Sequence, residues 1–111
     1  MGLSQTRTPK GVTVVQVDGQ LVVGNRHELK DLVQASLDRG ERRLLVDFSR
    51  TGYIDSSGLG ALVSISKRIR EAGGELRLSG LNDDLRSLFE LTKLDTLFAI
   101  TETSEQGLTS F

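Results

Sequence analysis

The run Leu44-Leu45-Val46-Asp47-Phe48-Ser49 is apolar almost throughout. It has no polar face to offer water, so as a strand it must be covered on both sides, the situation of a strand inside a largely parallel sheet with helices packed on it. The stretch therefore predicts a central strand, and the rest of the chain has to supply its neighbours and its cover.

The flanking patterns do so. In "VTVVQVDGQLVV", β-branched residues surround Asp18-Gly19, a dipeptide suited to a tight type I′ turn, so two short antiparallel strands are expected there. Asn25 with Glu28 three residues on resembles a capping box. Leu29, Leu32, Val33 and Leu37 then repeat at helical spacing until Gly40, which predicts a helix over about 26–39. A second helix runs from Ser57, with Leu59, Leu62, Val63, Ile65, Ile69 and Ala72 on one broad face, and stops at Gly73-Gly74. "ELRLSG" alternates as a strand, "NDDLRSLFELTKL" reads as a helix capped by Asn82, "TLFAI" as a strand, and "TSEQGLTSF" as a short or frayed helix at best. Residues 1–11, polar and holding the single proline Pro9, are expected to be a flexible lead-in to a domain spanning 12–111. The 111 residues suffice for one α/β domain with a mixed, mostly parallel sheet of about five strands.

Composition removes several function classes. Fourteen basic and 15 acidic residues leave a net charge of −1, with no field to gather nucleic acid, and the basic stretch Arg39–Arg43 reads as a solvated helix end. There is no cysteine and His27 is the only imidazole, too few ligands for a zinc site. No apolar run nears the ~20 residues that cross a bilayer, and no secretory hydrophobic region opens the chain, so no membrane insertion and a cytoplasmic location are expected.

What remains is the joint between two buried elements, Asp55-Ser56-Ser57-Gly58-Leu59-Gly60. In a sheet of this kind it lies on the side where loops leave the carboxyl ends of parallel strands, the usual place for a ligand or partner. It does not form a nucleophile elbow, because residue 54 is Ile and residue 55 is Asp where glycines are needed. It also lacks the third glycine of a dinucleotide loop and the lysine of a phosphate-binding loop. A small hydrolase pairing Ser56 with His27 would need an acid to orient the imidazole, and Asp55, adjacent to the serine, is badly placed for that. Helix capping accounts for one of the two serines. It does not account for the pair, nor for Gly58 and Gly60, which cost ~1 kcal/mol each of helix propensity. A bare helix start beside an exposed hydroxyl suits close approach by another protein and tolerates a phosphate, so the loop reads as a covalent switch better than as a catalyst.

The segment from Val46 to Ile100, and most specifically Asp55-Ser56-Ser57-Gly58-Leu59-Gly60 with Gly73-Gly74 and "LFELTKLDTLF", resembles the STAS domain in its small stand-alone bacterial form, the anti-sigma factor antagonists. The resemblance covers about residues 12–101. It implies a non-enzymatic regulator whose serine after the aspartate, Ser56, is phosphorylated by a partner that is both anti-sigma factor and serine kinase. A metal-dependent serine phosphatase reverses the mark, and only the unphosphorylated form captures the anti-sigma factor. ATP and magnesium would belong to the kinase, leaving this chain without a cofactor of its own. Asp55, Ser57, Gly58, Leu59, Gly60 and Asn25 would then form the switch loop and its surroundings. The chain departs from the family pattern at Gly19-Gln20-Leu21-Val22-Val23-Gly24-Asn25, where many members carry an acidic Gly-Glu-Leu-Asp-like run followed by Thr-Ala. A subunit of a larger assembly, such as a stress-signalling scaffold or lipid-transport complex, is the rival reading within the same family.

Overall fold

A computed structural model, which describes residues 2–111, orders the chain as β1 (Gly2–Arg7), β2 (Thr13–Leu21), α1 (Arg26–Asp38), β3 (Arg43–Asp47), β4 (Thr51–Ile54), α2 (Ser56–Glu71), β5 (Glu75–Ser79), α3 (Asp83–Leu91), a 3-10 turn at Leu94–Thr96, β6 (Ala99–Thr101) and α4 (Ser104–Thr109). The sheet runs β1-β2-β3-β5-β6, antiparallel at β1 and parallel elsewhere. β3 is central and covered on both faces, as its composition requires. Leu44 and Val46 join the cluster that holds Leu29, Val33, Leu62, Ile65 and Ile69 of α1 and α2. Leu45, also fully buried, points the other way and meets α4, where Gly107 lies so close that an added Cβ would stand 2.8 Å from a Leu45 methyl.

The sheet has six strands, because β4 continues the line of β3 after a break. β2 pairs with β3 through Thr13–Gln16 and with β4 through Gly19–Leu21. At the break, Phe48 is buried and its N–H donates to Ser79 O at 2.8 Å, while Asp47 Oδ1 accepts from Ser49 N at 2.9 Å. This turn delivers the chain to Asp55 beside the end of β2.

Two expectations about the amino-terminal region are corrected. Asp18-Gly19 is not a hairpin turn but lies inside β2, where Gly19 takes φ +99° and the pairing with β4 slips by one residue. The positive φ that glycine supplies to a turn serves here as a bulge. The antiparallel partner of β2 is drawn from the segment expected to be a lead-in: β1 pairs in register from Gly2 with Asp18 to Arg7 with Thr13. Leu3 packs on the core and Gln5 Nε2 donates to Ser36 Oγ of α1 at 2.9 Å, so β1 belongs to the fold. Met1 lies outside the described residues. At the other end, "TLFAI" yields only the short β6, the 3-10 turn taking Thr96. The last helix is short but well formed, with Thr103 and Gln106 making a capping box.

The end of the sheet where β2 begins is joined by Glu41. Its carboxylate, almost wholly buried, accepts from Thr13 Oγ1 at 2.6 Å, from Arg7 Nη1 at 3.0 Å and from Arg39 Nε at 3.0 Å, tying β1, β2 and the end of α1 together. The hydrogen bond from Arg39 is the main cause holding its pKa at about 2, below the ordinary 4.5, against the opposing effect of burial. A carboxylate depressed on folding stabilises fully above its unfolded pKa and loses that contribution as pH falls through the folded value. Denaturant unfolding should therefore show stability falling between about pH 4.5 and 2. Glu41→Gln should flatten that dependence and lower stability at pH 7, and an unchanged pH slope in the variant would remove Glu41 from this role.

Candidate functional site

The last carbonyl of β2 and the first turn of α2 are pressed together. Leu21 O accepts from Asp55 N at 3.2 Å, and Gly58 sits against the same carbonyl and the Ile54 side chain, with an added Cβ at 2.9 Å from Ile54 Cγ2. Gly58 is buried for this reason. It is a packing glycine rather than an opening for a partner. Gly60, by contrast, is exposed, with nothing within 4 Å of where a Cβ would stand.

Asp55 organises the loop. It is the residue before α2, in extended backbone geometry, and its Oδ1 accepts from Gly58 N at 2.7 Å. Its Oδ2 accepts from Val23 N at 3.1 Å, so one carboxylate caps α2 and holds the β2–α1 loop against it. The capping expected of a serine hydroxyl thus belongs to Asp55, whose two oxygens reach further than one hydroxyl. Among the described residues neither the Ser56 nor the Ser57 hydroxyl is hydrogen-bonded; Ser56 is exposed and Ser57 partly buried. Asn25 is corrected in the same way. It does not cap α1 with its side chain but pins its own loop, with Oδ1 accepting from Val22 N and Nδ2 donating to Gln20 O, each at 2.8 Å.

Leu59 is partly buried against the core. Ser56, Gly60, Val63 and Lys67 are exposed and recur at helical spacing along one outer ridge of α2. Val63, placed by periodicity on the buried face, is 38% exposed, and Val23 on the facing loop is 60% exposed. These two apolar side chains are the surface that pattern reading passed over. The signal for Val23 was the apolar Val22-Val23-Gly24 run itself. His27 is exposed on the first turn of α1 and makes no hydrogen bond with Ser56 among the described residues, and no group of three or more metal-ligating side chains occurs among them.

Comparison with known proteins agrees with this geometry. A family model described as STAS domain matches residues 4–107. The anti-sigma-B factor antagonist of Staphylococcus aureus is 32% identical over 101 residues, covering 91% of this chain and 94% of that protein. A Thermotoga maritima crystal structure, described as that of a candidate anti-sigma factor antagonist, superimposes with TM-score 0.89 at 26% identity, covering 97% of this chain and 92% of the other. The fold is also that of the anti-sigma factor antagonist SpoIIAA of Bacillus. Its unphosphorylated and phosphorylated forms each give TM-score 0.76, at 14% and 16% identity, over 98% of this chain and 96% and 98% of theirs.

The two glycines separate packing from surface. Gly58→Ala should destabilise the domain by about 1–3 kcal/mol, the range for overpacking a tight contact. Gly60→Ala should leave stability unchanged or raise it by up to ~1 kcal/mol through helix propensity. Thermal or denaturant unfolding of the two variants checks both, and equal effects would contradict the assignment.

Proposed function

Since the chain belongs to the STAS domain family and is by homology an anti-sigma factor antagonist, a class of non-enzymatic regulators, we propose that it works by partner switching. Unphosphorylated, it binds an anti-sigma factor that is also a serine kinase; phosphorylated on Ser56, it lets that partner go. The observation that carries this reading is the state of Ser56: an exposed hydroxyl with no hydrogen bond among the described residues, at the first helical position of a 16-residue helix whose cap is provided by the neighbouring Asp55. A hydroxyl needed for capping would not be free to react.

In the transfer, Ser56 Oγ attacks the γ-phosphorus of ATP held by the partner. The Oγ–P bond forms, the bond to the β–γ bridging oxygen breaks, ADP leaves with the electron pair, and the serine proton is released. Nothing in this step asks the present chain for a base, which agrees with the absence of a hydrogen bond between His27 and Ser56 among the described residues. A serine phosphatase returns the hydroxyl by hydrolysis. The partner's contact surface is the outer ridge of α2 with Val23 beside it, where Gly60 permits close approach of a facing backbone. A dianion set into that apolar surface must find cations on the partner or lose its water uncompensated.

Two measurements test the reading. Phosphorylation should add one phosphate, on Ser56, and leave the melting temperature unchanged or slightly raised, because the start of a helix favours negative charge; a large loss of helical signal would mean local unfolding instead. In calorimetry, Ser56→Ala should bind the anti-sigma factor persistently. The phosphorylated protein should lose ~2–5 kcal/mol, a thirtyfold to several-thousandfold drop in affinity. Equal affinities would reject the switch and favour a permanent subunit of a larger assembly.

A further inference from the structure

Arg26 is the first residue of α1, and Leu29, Val33 and Leu37, all buried, follow it at three, seven and eleven residues along the same inward stripe. An arginine on that stripe is out of place, and the structure records the consequence. Its Nε is shielded from solvent without a hydrogen-bond partner, the one buried side-chain nitrogen or oxygen in that state among the described residues. A buried N–H of a charged group left unpaired is costly, so the site stands ready for an acceptor.

No side chain among the described residues supplies one. Both oxygens of Asp55 are already taken, by Gly58 N and Val23 N. His27 and Glu28, the next residues of α1, are exposed. The backbone N–H of Arg26 is tied to the Val22–Asn25 loop by a bond to Val22 O at 2.9 Å, and side chains at a helix start lean toward the residues that precede it. That loop is bonded through Val23 N to Asp55, the residue before Ser56. The unpaired cation and the free hydroxyl thus occupy the two helix starts that Asp55 joins.

We infer that Arg26 receives the phosphoryl group of phosphorylated Ser56 within the same chain, its Nε–H and one Nη–H donating to two phosphate oxygens in the bidentate geometry guanidinium offers. This rests on Ser56 being the modified residue and adds how the mark is held. The dianion folds back onto the chain's own α1, completes the hydrogen bonding of Arg26, and stands across the approach to Val23. The modified form is then set by an internal ion pair as well as by repulsion of the partner.

The test uses full-length protein with phosphoserine installed at position 56 during translation, so that it does not depend on finding the kinase; a kinase that ignores Ser56 would refute the switch reading and leave this measurement intact. Phosphorus NMR titration should place the second phosphate pKa half a unit or more below the ~6 of free phosphoserine. Arg26→Gln should bring it back toward that value, with the unphosphorylated variant melting at or above the wild-type temperature, since the unpaired buried N–H is gone. In the wild-type chain the Arg26 Nε–H proton signal should shift and exchange more slowly once position 56 carries phosphate, a reading independent of any variant. Identical titrations with and without Arg26, or an Nε–H signal indifferent to the phosphate, would overturn the proposal.

Discussion

The carboxylate of Asp55 is the interaction on which the functional end depends. Two loops from different parts of the chain meet there. A single side chain accepting from Gly58 N and Val23 N converts them into one rigid edge. Because these are charged acceptors on backbone donors, they belong to the stronger class of hydrogen bonds, and they leave the serines that follow without structural duties. The close approach of Gly58 to Leu21 O then fixes the height of α2 relative to the sheet. Position comes from aspartate and glycine, and the serine hydroxyls are left unbonded among the described residues.

Much of the architecture was legible because burial dictates composition. β3 had to be central, α1, α2 and α3 carried clear helical spacing, and Asn82 caps α3 as its position suggested, accepting from Leu85 N at 2.8 Å. The illegible part was β1 and β2. Asp18-Gly19 carries the same demand for positive φ whether it closes a turn or makes a bulge, and nothing local distinguishes the two. Choosing the turn consumed β2 as its own partner and left Gly2–Arg7 without a role. The polar character of β1 concealed it as well, since an edge strand packs one face at most and here offers chiefly Leu3 to the core.

The site was legible as a location before it was legible as a mechanism of assembly. Asp55 to Gly60 stood out by residue type, yet the sequence does not say that Asp55 and not a serine accepts from the helix, because all three are competent caps. Gly58 and Gly60 look alike in sequence and differ only in what faces them. Val63 was hidden for an opposite reason: an apolar residue at helical spacing is assigned inward by default, and only the packed structure shows that it remains outside. The contacts that set Gly58 against Leu21 O and Val23 N on Asp55 cross more than 30 residues of chain, beyond the range of local pattern.

Two carboxylate centres lie at opposite ends of β2. Glu41 is bonded to Thr13 at its start, and Asp55 sits at Leu21, its end. Nine extended residues separate them by about 26 Å, roughly three screening lengths at physiological salt. A negative charge arriving at the surface of one end is largely screened by salt before its field reaches the other. The domain is in this sense insulated along its own strand: the ionic joint around Glu41 holds one pole of the sheet, and a change of charge at the surface of the other pole leaves that joint largely undisturbed.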